Sequence, residues 1–576
     1  MYVLNFKNKP ALRTISVALL FFLALFVWTL WQFHFNYMIA SNDTFFHSER
    51  IAEIRLAFLN HSLPSWVNFN SFFYTGQAIN GMYPDFTLWP LVLVTNFLTP
   101  IHQIIAIKSL IFGLTFIVSF LSLNKRFDSQ NAILAASVFT LSGSALRDLV
   151  TEMQTGSAIV MIFAFPIIFT LKEAVESKQI NPRLIIKTAL LMTIVINSHL
   201  LSAVAITLIA GIFLVIESII KKTYIPWINL TVAALLTVIL CLPIIYRLVT
   251  ISKTGLLSPF GKGHILSDPI WTLFIKSRWN SKSAISLASI LLLVATFIGI
   301  KKDKLKQLLP WLYIELALIL FSTNIIPWGF LGHVPIINNF QVANWRFAPF
   351  LGMVPIIFVL INFSQKTARI IMLAMTVIAY PFALKVALTS QYHKKANLPI
   401  VTENTQKFVP QNTDAKLTST GITSDKLIRT LIPDYSPDTT KLQKDSGGLN
   451  LDPQLVYLLA DHLGTIKGRD VLLQHTSTVN SLTLTGENVP KGKITLPVFG
   501  YSSLNYRITL NNKPADWSIN NSFITVNSPK NLKTATYSIT QIQPRFYPSI
   551  IWMSFVLFIA LLGILITPTV KKIWAK

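Results

Sequence analysis

Cysteine is all but missing: Cys241 is the single one in 576 residues, so no intrachain disulfide can form. A disulfide-stapled secreted scaffold is thereby excluded. Charge is scarce too, at 13% of residues against 52% hydrophobic, and the mean hydropathy is +0.55. A soluble domain cannot hide that much apolar surface, which leaves a polytopic membrane protein. Acidic residues are the scarcer sign, 24 against 49 Lys and Arg, for a net charge of +25. On a soluble chain such an excess points to nucleic acid. Here the basic residues sit in short clusters beside hydrophobic runs, where they act as orientation signals, and nucleic acid is excluded as a partner. No internal repeat and no zinc-type histidine cluster is visible in the sequence.

What is present is a series of apolar runs. They cover 13–33, 104–123, 131–147, 155–172, 184–198, 200–219, 227–247, 284–300, 307–323, 347–363, 369–388 and 547–568. The first follows Lys7, Lys9 and Arg13 and is long enough to span a bilayer, so it reads as an uncleaved anchor. One further run, "PDFTLWPLVLVTNFLTP" at 84–100, has only about 15 residues between prolines. Placed on the outer interface rather than across, it leaves Lys125/Arg126, Lys172/Lys178/Arg183, Lys221/Lys222, Lys301–Lys306, Lys366/Arg369 and Lys571/Lys572/Lys576 all inside. About twelve spans result, with both termini cytoplasmic.

The predicted fold class is therefore a polytopic α-helical membrane protein with an external, mainly β domain before the last span. Its parts are a transmembrane domain at 1–388 with outer first loop 34–103, a β-rich domain at 389–546, and a final span with tail at 547–576. The β expectation rests on "NSLTLTG", "GKITLPVF", "NYRITLNN" and "SFITVNS", which alternate at period two between Gly, Asn and Pro. The stretch 389–445 is less patterned and reads as irregular or mixed.

Polar groups gather on the outer side. In "SNDTFFHSERIAEIR" (41–55), Asp43, His47 and Arg50 fall at i, i+4 and i+7, one face of a helix, while Phe46, Ile51 and Ile54 supply an apolar face. The bland alternative is that Ser41, Asn42 or Asp43 merely caps that helix. "SALRDLVTEMQTG" adds Arg147, Asp148 and Glu152, "NSHLLSA" adds His199, and "NNFQVANWRFAPF" adds Gln341, Trp345 and Arg346. Each cluster alone fits interface anchoring, but ionisable groups converging near a membrane mark a site. Glu315 lies within the ninth run and is a separate case. The loop 248–283 contributes Lys262, His264 and Arg278, either as phosphate contacts on a lid or as a basic connector; its "GKG" lacks P-loop spacing.

"NDTFFHSERI" is similar to the "D-x-x-F-H-x-x-R-I" element after the first span of bacterial membrane proteins called 6-pyruvoyl-tetrahydropterin-synthase-related or YfhO-like. "RDLVTE" and "SHLLSA" resemble later elements of that group, and "FQVANWRF" resembles its "Q-F-P-W-R-F" pattern, with Asn344 in place of the proline. The architecture resembles the GT-C glycosyltransferase superfamily, whose members use polyprenyl-phosphate-linked sugars and place an acid in the first outer loop. That resemblance implies Asp43 as general base with His47 orienting it or donating to phosphate, and Arg50 and Arg346 on the lipid phosphate. Trp345, Gln341, His199, Arg147 and Asp148 become lesser contacts. It implies a cell-envelope glycan or lipid as acceptor, membrane lipids as surroundings and the bacterial cytoplasmic membrane as location. No cofactor is required; Asp43 with Asp85 or Asp148 is the set a divalent metal would use. The alternatives are a flippase for a lipid-linked glycan, which would show repeats and broken midplane helices that the sequence does not reveal, and a non-catalytic envelope scaffold.

Overall fold

The computed structural model describes residues 9–257, 265–272, 287–334, 337–392, 397–410, 413–445 and 448–574. Lys262, His264 and Arg278 lie outside the described residues.

Every apolar run is helical where described, but the helices differ in kind. Among the described residues five are long and apolar enough to cross a membrane. They lie in α1 (Lys9–His34), α3 (Pro100–Asn124), α8 (Leu200–Lys221), α12 (Gln365–Tyr392) and α13 (Tyr547–Trp574). Three bent pairs raise the number to eight if each is one span. In the first, α4 (Ser129–Thr140) and Gly143–Thr151 meet at 44°. The second joins α5 (Thr155–Ile162) to α6 (Ala164–Val175) at 58°, and the third joins α9 (Ile225–Leu240) to α10 (Leu242–Ser252) at 70°. Pro166 and Pro243 stand in the first turn after the latter two breaks, where a missing N–H costs least. Helix α7 (Pro182–Ser198) has 17 residues, and Leu287–Ile298 and Pro349–Asn362 are shorter apolar helices. The count of about twelve spans is therefore not confirmed, and three of the runs hold bends that the sequence did not reveal. The run at 84–100 forms only the seven-residue helix Trp89–Thr95, too short to cross, with Leu93, Val94 and Phe97 exposed.

All four alternating segments are strands: β8 (Ser481–Val489), β9 (Gly492–Phe499), β10 (Asn505–Leu510) and β13 (Phe523–Ser528). With β6 (Leu463–Ile466), β7 (Arg469–Thr478), β11 (Lys513–Pro514), β12 (Trp517–Asn520) and β14 (Leu532–Ile542) they form a nine-stranded antiparallel sheet, ordered β11-β10-β14-β8-β7-β6-β9-β13-β12. The less patterned stretch before it is not a loose linker. There β2 (Ile400–Val401) and β3 (Ala415–Thr418) join β1 (Tyr37–Ala40), with Tyr37 opposite Thr418 and Ala40 opposite Ala415. A short hairpin, β4 (Leu442–Asp445) and β5 (Gly448–Leu451), follows.

Between α1 and α3 lies α2 (Thr44–Leu59), buried along most of its length. The rest of the first loop packs into the β domain: Trp66, Phe69 and Phe73 share a core with Leu482, Leu496, Val498 and Tyr501. Burying Phe69 and Phe73 contributes roughly 1.5–3 kcal/mol each. Gly81 permits a close approach, since a Cβ there would run into the Trp66 carbonyl and the Ile251 side chain. Beneath this joint Arg247 of α10 pairs with Asp85 at 2.7 Å, both side chains almost fully buried, within hydrogen-bond reach of Tyr547 at the start of α13. Asp85 also accepts from the Trp89 indole at 3.0 Å. One ion pair thus ties the first loop, α10 and the last helix together.

Arg247→Met should leave Asp85 buried without its cation and cost about 3–5 kcal/mol. Thermal unfolding of the detergent-purified chain checks this. The double variant Asp85→Leu/Arg247→Met should recover much of the loss, because no charge is then stranded.

Candidate functional site

Asp43 occupies the N-cap position of α2, yet its side chain makes no capping bond to the helix. The carboxylate, half-exposed, instead accepts from the Gln154 side-chain amide. Capping therefore does not explain this residue. One turn on, His47 is buried and lies within hydrogen-bond reach of Gln154, so Gln154 links the two. The His47 Nδ1 also meets the Thr155 hydroxyl at 3.1 Å and the Arg50 Nη1 at 3.3 Å. A guanidinium only donates, so Nδ1 is the acceptor and the proton sits on Nε2. Burial first, then Arg50 and His199, holds His47 well below its ordinary value, so the ring is neutral. The described bonds thus run from Asp43 through Gln154 to His47, where a direct orienting contact was expected.

Arg50 is buried with its guanidinium 4.0 Å over the Tyr83 ring, and Nη2 donates to the Pro84 carbonyl at 3.0 Å. Its Nε is buried with no acceptor. Arg346, on α11 (Ala343–Leu351), donates from Nε to the Phe340 carbonyl at 3.0 Å and from Nη2 to Gln341 Oε1 at 2.7 Å. Among the described residues neither arginine forms an ion pair; their partners are neutral. Tyr83 stands between them, its hydroxyl within electrostatic reach of Arg50, Arg346, Asp43 and Asp148. His199 caps α8, pairing through Nδ1 with the Ser202 hydroxyl at 2.7 Å, and its ring lies 6.2 Å from that of Tyr83.

Other predicted residues are engaged elsewhere. Arg147 and Asp148 are ion-paired with one another on a π-helical turn, Arg147–Thr151. Glu152 accepts from Asn42 at 3.2 Å. Trp345 lies on α11, and its side chain is outside the described residues. Both oxygens of Glu315 are buried without a partner among the described residues. Asp85 and Asp148, the carboxylates set beside Asp43 for a divalent metal, are each taken by an arginine.

Sequence reasoning missed the groups that close the site. Gln154 and Thr155 lie inside a quoted stretch, but nothing about an amide and a hydroxyl distinguishes them there. Asp434 and Tyr435 come from the unpatterned stretch: Asp434 is pushed up to about 7 by burial and then by the charge of Asp43. Tyr435 is pushed above its usual value by burial, with Asp434, Tyr83, Arg50 and Arg346 acting on it. Helices α1, α3 and α12 line an apolar cavity of about 150 Å³, with Phe21, Trp28, Phe112, Leu141, Val150 and Tyr380 in its wall.

On the far side of α2, Glu49 and Glu53 face inward. Glu49 accepts from the Phe72 N–H, and Glu53 accepts from the Asn70 N–H at 2.8 Å and the Ser71 hydroxyl at 3.0 Å. The loop they hold is strained, with Phe72, Phe73 and Tyr74 at φ of 50, 58 and 58°. Burial pushes Glu49 up to about 8 and Glu53 to about 7, although their hydrogen bonds oppose it.

No protein-family model matches the chain, and no curated protein matches it. Among solved structures it is similar in part to ArnT from Cupriavidus metallidurans bound to undecaprenyl phosphate. The identity there is 14% over 66% of this chain and 69% of that one, with a TM-score of 0.40. It is also similar to the arabinofuranosyltransferase AftD from Mycobacteria, at 13% identity over 66% of this chain and 27% of that one, TM-score 0.40. At these values neither likeness establishes a shared fold or activity. None of these comparisons confirms the resemblance to YfhO-like and 6-pyruvoyl-tetrahydropterin-synthase-related proteins.

Glu49 and Glu53 bind protons more tightly folded than unfolded, where a glutamate titrates near about 4.3. Their contribution is fullest below that value and is lost as pH rises through about 7 and about 8. The chain should therefore unfold at lower temperature at alkaline than at mildly acidic pH. Glu49→Gln should shrink that difference, read by thermal unfolding across the range.

Proposed function

We propose that the chain is a membrane glycosyltransferase of the GT-C kind. It moves a sugar from a polyprenyl-phosphate donor to a hydroxyl of an extracytoplasmic cell-envelope glycan or lipid. The carrying observation is two buried arginines, Arg50 and Arg346, held by neutral partners around the half-exposed Asp43 carboxylate. Cations in no ion pair among the described residues suit an anion brought by a ligand, and guanidinium matches phosphate geometry. The apolar cavity between α1, α3 and α12 offers a place for only a short part of an isoprenoid chain. The twelve-span topology, with both termini cytoplasmic, belongs to this proposal.

In the reaction, Asp43 takes the proton of the acceptor hydroxyl as that oxygen bonds to the anomeric carbon. The bond from that carbon to the phosphate oxygen breaks, and its electron pair leaves with the lipid phosphate. Arg50 and Arg346 meet the growing charge, with Tyr83 between them. Gln154 orients Asp43, and neutral His47 donates from Nε2. His199 and Gln341 border the site, and Arg147 with Asp148 shapes its edge. No step needs a cofactor.

A second reading, a transporter for a lipid-linked glycan, is favoured by the three bent helix pairs, because transporters break helices around midplane sites. It would use the same arginines and no base.

Membranes holding equal amounts of the chain, supplied with radiolabelled polyprenyl-phosphate sugars, separate the readings. Turnover should fall about 100-fold or more in Asp43→Asn with donor still bound, and Arg346→Ala should weaken donor binding. Donor bound and moved across vesicles without turnover, indifferent to Asp43→Asn, would sink the transferase reading in favour of transport.

A further inference from the structure

Away from this site, the tertiary structure gathers a cluster that the sequence does not reveal. His462 lies in the turn before β6, with φ of 50°, and His475 lies on β7. Their rings are 4.2 Å apart. Asp425 comes from the segment that precedes Asp434 and Tyr435, and the ligand atoms of all three residues lie within 4.8 Å of one another. Tyr74 of the first loop forms a wall, its ring 4.1 Å from His475 and its hydroxyl donating to the Thr423 carbonyl at 3.3 Å.

His462 is more than nine-tenths buried, and its Nε2 has no hydrogen-bond partner. It points at Asp425 Oδ2 from 3.6 Å, too far for a bond between them. A buried imidazole nitrogen left open toward a carboxylate and a second imidazole is what a bound cation resolves. The 3.6 Å between His462 Nε2 and Asp425 Oδ2 is close to that of a filled site, where ligand atoms about 2.0–2.2 Å from zinc stand roughly 3.4 Å from each other. The His475 ligand atom lies within 4.8 Å of both.

The nearest cation is Lys426, whose Nζ is 3.5 Å from Asp425 Oδ2 and 4.7 Å from the Phe408 ring centre. A metal would displace this flexible ammonium toward solvent.

We propose that Asp425, His462 and His475 bind a divalent transition-metal cation of the zinc class. Two imidazoles and one carboxylate are three borderline ligands with a fourth position open, a set that favours zinc over magnesium or calcium. The cation pins the segment 423–435 to the turn before β6 and to β7. That segment also reaches the first loop, since Arg429 donates to Asn42 at 3.2 Å and Thr430 lies within hydrogen-bond reach of Glu49. Its consequence is therefore greater stability of the joint between β domain and first loop. The proposal is independent of the transferase reading.

The test uses the full chain, untagged, purified in detergent, stripped with EDTA and dialysed against zinc chloride. Elemental analysis should find one zinc per chain, and zinc should raise the unfolding temperature. Both effects should vanish in His475→Ala and weaken in Asp425→Asn, a half-exposed position that tolerates substitution should His475→Ala misfold. Cobalt in place of zinc should give visible absorption bands that His475→Ala loses. Equal zinc content in the intact chain and both variants, or no zinc-dependent rise in unfolding temperature, would overturn the proposal.

Discussion

Glu49 and Glu53 hold the joint on which both halves of the molecule depend. They sit one turn apart on α2 and accept from the backbone and side chains of residues 70–72, clamping a loop whose next residues have left-handed backbones. Such a loop costs energy by itself and persists only where its surroundings over-determine it. Once clamped, it docks on the sheet: Thr75 O accepts from Phe499 N at 2.8 Å, and the Tyr501 hydroxyl accepts from Ala78 N at 2.9 Å. The same helix carries Asp43, His47 and Arg50. The candidate site and the docking joint thus share one rigid element, and neither can shift without the other.

The arginines divide into two kinds. Arg247 and Arg147 are matched to Asp85 and Asp148, which cancels charge and fixes geometry. Arg50 and Arg346 are buried against carbonyls, an imidazole, an amide and an aromatic face. Neutral acceptors orient a guanidinium but leave its charge largely intact, so burying it costs more than burying a matched pair. That contrast separates scaffold from site more sharply than residue type does.

The stretch from 397 to 445 has an outsized part for its weak pattern. It adds strands to β1, brings Asp434 and Tyr435 to the site, and carries Asp425 to the two histidines. Its contacts are made with distant partners, so no local periodicity marks them.

The sequence by itself determined the helical segments, because an apolar run in a bilayer must satisfy its own backbone. It determined β8, β9, β10 and β13, because period-two alternation is a local property. It also determined that Asp43, His47 and Arg50 share a face, which follows from helical pitch. Only the tertiary structure decided where helices bend, that Asp43 is held by Gln154 rather than spent on a cap, and that Asp85 and Asp148 are neutralised. It alone placed Asn70 on Thr478, 408 positions away. Periodicity reports a residue's own element; which elements meet is set by the balance of burial and hydrogen bonding over the whole chain.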